Sequence, residues 1–287
     1  MSDPIVTTAP AKLNLLLRIL ARHADGYHGI ETLFCRIGLA DRLEVHRADA
    51  GVTLETTAEG LGAAENNLAV RAAHAVLEAT RRPFGVHIVL EKQIPVGAGL
   101  GGGSSDAAAT LVAVNALAGN AIPRHELMQI AARLGSDVPF FVSGATLALA
   151  WDRGDRMIRL PPLPRAPALL LSPATAIATA DAYGWMANAR GTAPLRRGAL
   201  ALDLESLGSW GDIARMAGND FESPVFGRYP ALRAAFESLV ATRPLICRMS
   251  GSGSTLFAVY RSERDREDAR MMLGRKHGDV RSTEASV

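Results

Sequence analysis

The sequence predicts an α+β fold, and three observations support that prediction. Strand-like and helix-like apolar patterns alternate along the chain, with no internal repeat and no low-complexity segment. A glycine-rich segment at residues 95–106 joins an apolar run to an alanine-rich stretch, as at a junction between a strand and a helix. Prolines cluster at residues 161–167, where they exclude helix interiors and central strands. We therefore expect two domains, residues 1–162 and residues 163–287.

Length and composition indicate a globular protein. The chain has 287 residues, of which 48% are hydrophobic and 21% are charged, so it can bury one large core or two modest ones. A formal net charge of +2 gives no reason to expect a nucleic-acid or membrane partner. Residues 1–20 lack the pattern of a signal peptide, and no apolar run reaches the length of a membrane span. We expect a cytoplasmic protein, with Cys35 and Cys247 as two buried thiols.

The elements of the first predicted domain follow from periodicity and capping residues. Strands are predicted at residues 12–19, 42–45, 52–56 and 86–90. Asn66 and Asn67 offer caps for a helix that starts at Leu68. Two more helices are predicted, one along the alanine-rich residues 107–117 and one opened by Pro123 at a first-turn position and ended by Gly135.

The second predicted domain alternates strands and helices over a short length. Strands are predicted at residues 169–171, 245–249 and 255–260, with a short strand near Val280. Helices are predicted near residues 179–186, 229–240 and 263–273. Such alternation within about a hundred residues suits a ferredoxin-like arrangement of βαβ units.

The segment Pro-Val-Gly-Ala-Gly-Leu-Gly-Gly-Gly-Ser-Ser-Asp, residues 95–106, carries the strongest chemical signal. Because glycine has no Cβ, successive backbone N–H groups can approach a ligand closely, and the following helix adds unpaired donors and roughly half a positive charge. Such a site favours phosphate, to which serine hydroxyls can also donate. The predicted phosphate-binding residues are Pro95, Val96, Gly97, Ala98, Gly99, Leu100, Gly101, Gly102, Gly103, Ser104 and Ser105.

Two other glycine-loop chemistries fail on spacing. A Walker A loop registered from Gly97 to Gly102 places Gly103 where its phosphate-binding lysine belongs. A dinucleotide fingerprint fits Gly97, Gly99 and Gly102, but a helix follows where that fold needs a strand ending in an acidic residue. A turn that only packs a helix on a strand needs one or two glycines, so a phosphate loop is the better interpretation.

Four further segments contain candidate catalytic or binding residues, although each also has a structural explanation. Lys12, in residues 9–14, can be an edge charge on a strand, and Asp137, in residues 135–141, can cap a short helix. Residues 24–28 can form a turn with an exposed aromatic side chain. The Ser-Gly repeat at residues 250–254 reads as a tight loop because strand-like runs flank it on both sides.

Taken together, these segments resemble the GHMP kinases, the family of galactokinase, homoserine kinase and mevalonate kinase. Residues 10–14, 95–108 and 249–256 are similar to the three motifs of the family. Residues 25–28, 97–106, 135–141 and 219–222 resemble the subgroup that phosphorylates 4-diphosphocytidyl-2-C-methyl-D-erythritol in the non-mevalonate isoprenoid pathway. The resemblance implies a two-domain GHMP kinase fold, with an N-terminal mixed α/β nucleotide-binding domain and a C-terminal ferredoxin-like domain. Its third glycine loop comprises Gly251, Ser252 and Gly253.

The resemblance implies transfer of a phosphoryl group from ATP to an alcohol, with Lys12 and Asp137 as catalytic residues. Asp137 would accept the hydroxyl proton or position the hydroxyl, and the sequence leaves both roles open. A unit-charge pair about 4 Å apart is worth on the order of 4 kcal/mol at an effective dielectric near 20. Lys12 would therefore keep Asp137 ionised while attracting the incoming phosphate.

The resemblance also implies binding sites. Tyr27 and His28 would hold the cytosine of the acceptor, because a tyrosine ring can stack on a base and an imidazole can read its edge. Asn14 would lie near the acceptor hydroxyl, and Asn67 and Lys92 near the adenosine of ATP. Relatives usually add a second aromatic ring near residues 178–181, where this chain has none until residue 183.

ATP chemistry implies Mg²⁺, which keeps waters and binds mostly to the phosphates. We assign no protein ligand to the ion beyond a hydroxyl of Ser104 or Ser105. The expected partners are the small molecules ATP and a cytidine diphosphate ester, with no nucleic acid and no membrane.

Two alternatives stay open. A GHMP kinase for a sugar, homoserine or mevalonate would not need the pair Tyr27 and His28. A non-catalytic nucleotide sensor on the same scaffold would not need Lys12 and Asp137, which this chain retains.

Overall fold

A computed structural model of the chain describes residues 3–22, 28–58, 63–81, 84–190, 203–274 and 276–287. It forms two compact units. The first combines residues 1–11, 39–96 and 101–145, and the second combines residues 12–38, 97–100 and 146–287. Both units contain strands and helices, so the predicted α+β class is confirmed. Because both units draw on separated segments, the predicted division between residues 162 and 163 stays a prediction.

The first unit contains a small sheet and most of the helices of the first half of the chain. Two long strands, β1 (Ile5–Arg22) and β2 (His28–Ala48), contribute residues to both units. The remaining elements of the first unit are β3 (Val52–Thr56), a 3-10 turn (Ala64–Asn66), α1 (Leu68–Thr80), β4 (Gly85–Glu91), α2 (Gly102–Leu117), α3 (Arg124–Leu134) and α4 (Val138–Ser143).

Strand β4 lies between two partners in the first unit. It pairs antiparallel with β2, where Arg42 is opposite Glu91, and parallel with β3, where Val52 is opposite Val86. Helices α1 and α2 pack against each other and share one apolar core with the sheet. Ala107, Ala108 and Ala113 of α2 are buried in this core, and their small side chains let the helices approach closely.

The second unit holds the remaining strands and helices. Its elements after β2 are β5 (Leu147–Asp152), β6 (Arg156–Leu160), β7 (Ala166–Ser172), α5 (Thr179–Arg190), a 3-10 turn (Glu205–Leu207), α6 (Trp210–Met216), β8 (Gly218–Asn219), α7 (Glu222–Arg228), α8 (Pro230–Val240), β9 (Ile246–Met249), β10 (Leu256–Val259), α9 (Glu263–Leu273) and β11 (Asp279–Ala285).

Four strands of the second unit form a ferredoxin-like sheet. They lie in the spatial order β11, β7, β10, β9, and every neighbouring pair is antiparallel. Helices connect β7 to β9 and β10 to β11, whereas β9 and β10 follow each other directly in the sheet. This is the βαββαβ topology, so the predicted ferredoxin-like arrangement is confirmed.

The structure adds elements that the sequence did not predict. Strand β2 begins at His28, well before the predicted residues 42–45. Residues 32–35 of this strand show no clear alternation of apolar and polar side chains, because side chains on both faces of the strand are buried. Strands β5 and β6 and helices α6 and α7 were also not predicted. Pro123 is the N-cap of α3, one position before the predicted first turn.

Both cysteines are buried and unbridged, as predicted. Desolvation raises the pKa of the Cys35 thiol to about 12, so this sulfur stays protonated at neutral pH. Among the helices that the structure describes, none is long and apolar enough to cross a membrane.

Candidate active site

The glycine-rich segment connects β4 to α2, as the sequence predicted. The φ angles of Gly97, Gly99 and Gly101 are 68°, 79° and 72°, in the left-handed region that glycine adopts without strain. Gly101 is the N-cap of α2, and no side chain of the described residues caps this end of the helix. The first N–H groups of α2 are therefore not taken by a capping side chain, which suits the binding of an anion.

Ser105 lies in the first turn of α2 and is only 1% exposed. Its Oγ has no hydrogen-bond partner among the residues that the structure describes. Because a buried hydroxyl normally has a partner, this atom fits a ligand such as a phosphate oxygen or a phosphate-bound cation. The donor chemistry of Ser105 is thus compatible with the expected magnesium complex of ATP.

The middle of the phosphate loop packs against the third glycine loop, both within the second unit. The Ser250 hydroxyl donates to the carbonyl of Gly99 at 2.9 Å, and the N–H of Thr255 donates to the carbonyl of Ala98 at 3.3 Å. A Cβ added to Gly99 would lie 2.1 Å from the carbonyl oxygen of Ser250. Only glycine permits this approach, so the two predicted glycine loops are in direct contact.

Lys12 lies on β1 beside the phosphate loop. Its backbone N–H donates to the carbonyl of Leu100 at 3.0 Å. Its side chain is buried, and Nζ lies 2.6 Å from Oδ1 of Asn14 and 5.3 Å from the ring centroid of Phe34. The explanation of Lys12 as an exposed edge charge is therefore wrong.

Asn14 connects Lys12 to the third glycine loop. Its Oδ1 accepts hydrogen bonds from Lys12 Nζ at 2.6 Å and from the N–H of Gly251 at 3.0 Å. Its Nδ2 donates to Oγ1 of Thr32 at 2.8 Å, and that hydroxyl donates to the carbonyl of Leu16 at 2.7 Å. Every member of this buried network has a partner, which fixes the side chain of Asn14 in one orientation.

His28 is the first residue of β2, and its ring stacks on Tyr183 of α5. The ring centroids are 5.3 Å apart and the planes are inclined by 17°. The other predicted member of the cytosine site, Tyr27, lies outside the described residues. Tyr183 thus supplies an aromatic ring beside His28, two residues after the 178–181 segment near which the resemblance implied one.

Asp137 directly precedes α4 in the first unit. Its side chain makes no capping hydrogen bond to the described residues of that helix, so capping does not explain this aspartate. Helix α4 packs against α2, and a Cβ added to Gly135 would lie 4.0 Å from Oγ of Ser104. The segment that carries Asp137 therefore lies beside the first turn of α2.

Lys92 belongs to a buried cluster behind the first turn of α2. Its Nζ lies 2.5 Å from Asp41 and 2.8 Å from Asp106, and the lysine side chain is 7% exposed. Asp41 also accepts the backbone N–H groups of Gln93 and Ile94. Burial raises the pKa of Asp106 to about 7, against the opposing effect of the Lys92 charge. The ammonium of Lys92 is thus engaged by two carboxylates, and a contact of this residue with adenosine stays a prediction.

Asn67 is the N-cap of α1. Its Oδ1 accepts the N–H of Ala69 at 2.9 Å, so the predicted cap is confirmed. The structure gives this residue a structural role, and its predicted place near adenosine stays a prediction.

Comparison with known proteins identifies relatives over most of the chain. The family model described as "GHMP kinases N terminal domain" matches residues 67–145, and the model described as "GHMP kinases C terminal" matches residues 199–279. A 4-diphosphocytidyl-2-C-methyl-D-erythritol kinase of Moorella thermoacetica is 42% identical over 277 residues, which are 95% of each chain. The corresponding protein of Solibacter usitatus is 40% identical over 258 residues, which are 88% of this chain and 80% of the relative.

Solved structures agree with these matches. A crystal structure of 4-(cytidine 5'-diphospho)-2C-methyl-D-erythritol kinase has a TM-score of 0.81 and 36% identity, and the match covers 99% of this chain and 100% of that one. A homoserine kinase from Cytophaga hutchinsonii has a TM-score of 0.72 at 20% identity, covering 100% of this chain and 95% of that one. The second match is evidence for the fold alone.

The contact between the glycine loops predicts different costs for two alanine substitutions. Gly99→Ala combines a positive φ with a clash against a backbone carbonyl, so the free energy of unfolding should fall by about 3 kcal/mol. Gly97→Ala is the matched control, because Gly97 has a positive φ but, apart from its chain neighbours, no atom of the described residues lies within 4 Å of an added Cβ. It should cost roughly 1 to 2 kcal/mol. Equal losses in chemical denaturation would contradict the contact.

The raised pKa of Asp106 predicts a specific pH dependence of stability. Folded Asp106 keeps its proton up to about pH 7, whereas the unfolded chain releases it near pH 4. The folded state therefore binds more protons between these values, and this contribution to stability falls as the pH rises. The unfolding free energy of the wild type minus that of Asp106→Asn should decrease from pH 4.5 to about pH 7. A difference that is constant or rises with pH would show that burial does not raise this pKa.

Proposed function

The chain belongs to the GHMP kinase family, and from that premise we propose that it catalyses the ATP-dependent phosphorylation of the 2-hydroxyl of 4-diphosphocytidyl-2-C-methyl-D-erythritol. The reaction is a step of the non-mevalonate route to isoprenoid precursors, and we place it in the cytoplasm. The observation that carries the proposal is the meeting of two glycine loops beside the buried pair Lys12 and Asn14. Relatives of more than 35% identity over most of their length support the choice of acceptor.

The phosphate loop and the start of α2 form the donor side of the proposed site. The backbone N–H groups of the loop and of the first helical turn bind the phosphate oxygens of ATP, and the helix dipole favours their negative charge. The hydroxyl of Ser105, and that of Ser104 in the same turn, can reach a phosphate oxygen or its cation. The hydroxyls of Ser104 and Ser105 would be the protein groups available to Mg²⁺, and the ion would supply positive charge to neutralise the phosphates.

Lys12 and Asp137 carry the transfer step in this proposal. The ammonium of Lys12 stabilises the negative charge on the transferred phosphoryl group, and Asn14 holds that ammonium in place. Asp137 accepts the proton of the attacking hydroxyl or orients the hydroxyl for attack. Both roles need a carboxylate, since an amide at this position can neither take the proton nor attract the hydroxyl hydrogen as strongly.

The cytosine of the acceptor binds at the aromatic rings of His28 and Tyr183, with Tyr27 as a further ring. An imidazole has one donor and one acceptor nitrogen in its neutral form, so it can pair with the polar edge of a base. A phenol ring offers a stacking surface at little conformational cost. Asn14 lies on the same strand as Lys12 and is proposed to reach the acceptor hydroxyl.

The alternative acceptors of the family, sugars, homoserine and mevalonate, have no aromatic base. The stacked pair His28 and Tyr183 therefore favours the cytidine ester over these acceptors. A nucleotide sensor would not need the buried network that orients Lys12.

The acceptor is tested by a steady-state assay with ATP and a panel of alcohols. We expect kcat/KM for the cytidine diphosphate ester to exceed that for mevalonate, homoserine and galactose by at least about 1,000-fold, since each lost contact with the base costs a factor of ten or more. Comparable activity on acceptors that lack cytosine would reject the proposed substrate and leave a GHMP kinase of another specificity.

The role of Asp137 is tested by Asp137→Asn. Turnover should fall by about 1,000-fold, because general base catalysis contributes two to four orders of magnitude. Binding of ATP, measured by calorimetric titration, should change less than about twofold. Ser136→Ala, at the exposed neighbouring position, is the matched control and should keep kcat within about twofold. An asparagine variant with near-normal turnover would remove Asp137 from the mechanism.

A further inference from the structure

Residues 219–222, Asn-Asp-Phe-Glu, run from the last residue of β8 to the first residue of α7 in the second unit, and we call them the 219–222 segment. Its polar side chains bind the backbone of other strands. Oδ2 of Asp220 accepts the N–H of Ile19 on β1 at 2.9 Å, and an oxygen of Glu222 accepts the N–H of Met249 on β9 at 2.9 Å. The segment therefore holds β1 and β9 together at the point where the third glycine loop begins.

Asn219 binds the third glycine loop directly. Its Nδ2 donates to the carbonyl of Met249 at 2.7 Å and to the carbonyl of Gly251 at 2.8 Å. The side chain is buried, with 8% of the residue exposed, so water does not replace these bonds at low cost. Two donors from one amide fix the position of both peptide groups.

Gly251 connects Asn219 to Lys12 through a chain of hydrogen bonds. Gly251 receives the amide of Asn219 at its carbonyl, and its N–H donates to Oδ1 of Asn14, which also accepts from Lys12 Nζ. Displacement of Gly251 would thus remove one of the two donors that orient Asn14. Lys12 would then lose the fixed acceptor for its ammonium.

Phe221 connects the 219–222 segment to the aromatic pair of His28 and Tyr183 through ring contacts. Its ring meets Tyr183 edge to face, with centroids 4.9 Å apart and planes inclined by 89°, and Tyr183 stacks on His28. Phe221 is 2% exposed and lies in the core of the second unit. Its N–H donates to Oδ1 of Asn219 at 2.9 Å, which ties the two branches together.

We propose that the 219–222 segment positions two parts of the active site, the lysine of the transfer step and the aromatic pair of the acceptor base. Asn219 acts through Gly251 and Asn14 on Lys12, and Phe221 acts through Tyr183 on His28. The inference rests on the proposed function, because it assigns Lys12 to the transfer step and the aromatic pair to the acceptor base. Asn219 and Phe221 are positioning residues, since each acts through a neighbour. The two branches end at different tasks, so they should affect different kinetic constants.

The Asn219 branch is tested by Asn219→Asp, which keeps the size of the side chain and the acceptor for Phe221 but removes both donors to the loop. We expect kcat to fall by about 30-fold, because a displacement near 1 Å at a reacting group can cost up to two orders of magnitude. The KM for the cytidine ester should change less than about threefold. Asn219→Ser removes the same donors without a buried charge, and it serves if the aspartate variant does not fold.

The Phe221 branch is tested by Phe221→Leu, which keeps an apolar side chain but removes the ring that supports Tyr183. We expect the KM for the cytidine ester to rise about 5- to 10-fold, because the edge-to-face contact with Phe221 holds Tyr183 in place and aromatic contacts of this geometry are worth about that factor. The kcat and the KM for ATP should stay within about threefold. Phe221→Met is the second variant if the leucine variant does not fold.

A matched control separates positioning from general loss of stability. Ser262 caps α9 in the same unit through a hydrogen bond from the N–H of Asp265 at 3.1 Å, away from the 219–222 segment in sequence. Ser262→Ala should lower the melting temperature by about 3 °C with both kinetic constants unchanged.

Separate effects of the two variants, a lower kcat for Asn219→Asp and a higher KM for Phe221→Leu, support the inference. If kcat falls and KM rises together in both variants, or if neither constant changes in either variant, the inference is overturned and the segment serves folding alone. A wild-type protein inactive on the cytidine ester would instead reject the proposed function, so the two failures are distinguishable.

Discussion

The amide of Asn14 is the constraint on which the proposed active site depends. A buried ammonium needs a hydrogen-bond acceptor in a fixed position, and Asn14 provides it because residues two apart on a strand share a face. The same oxygen accepts the N–H of Gly251, and the amide nitrogen is held by Thr32. One side chain thus joins the first motif of the sequence to the third.

The two glycine loops meet at Gly99, where the absence of a side chain lets the backbone of Ser250 approach closely. A Cβ on Gly99 would lie 2.1 Å from the carbonyl oxygen of Ser250, and the Ser250 hydroxyl donates to the Gly99 carbonyl. The buried cluster of Lys92, Asp41 and Asp106 lies at the end of the phosphate loop, where α2 starts. Close backbone packing in the middle of the loop and charge pairing at its end stabilise the conformation of the loop.

Much of the fold was predictable because its signals are local. The glycine loop, the cap at Asn67 and the periodicity of the helices depend on neighbouring residues, and the structure contains them. The early part of β2 was not predicted, because its side chains are buried on both faces and the alternation is lost. The βαββαβ order was predicted from the alternation of elements, whereas the antiparallel order of its strands required the structure.

The sequence motifs of the site could be predicted, but the hydrogen bonds and ring contacts between them could not. Sequence reasoning named Lys12 and the third glycine loop, but it could not show that Asn14 bonds to both, because hydrogen bonds between residues 14 and 251 leave no local pattern. The sequence showed Tyr183 close to the segment where relatives have an aromatic ring, but it could not show that this ring stacks on His28, since the two residues are about half the chain apart in sequence. The resemblance to the GHMP kinases implied that Lys92 lies near the adenosine, whereas its buried carboxylate partners depend on the fold and could not be predicted.

The central claim is that the loop amides hold the phosphates of ATP where Lys12 and Asp137 act on one acceptor hydroxyl. A crystal structure with a non-hydrolysable ATP analogue and the cytidine diphosphate ester measures this directly. We predict that Lys12 Nζ lies about 3 Å from an oxygen of the γ-phosphate and that the Asp137 carboxylate lies about 3 Å from the 2-hydroxyl. A γ-phosphate bound away from Lys12, or a hydroxyl with no carboxylate within reach, would contradict the account.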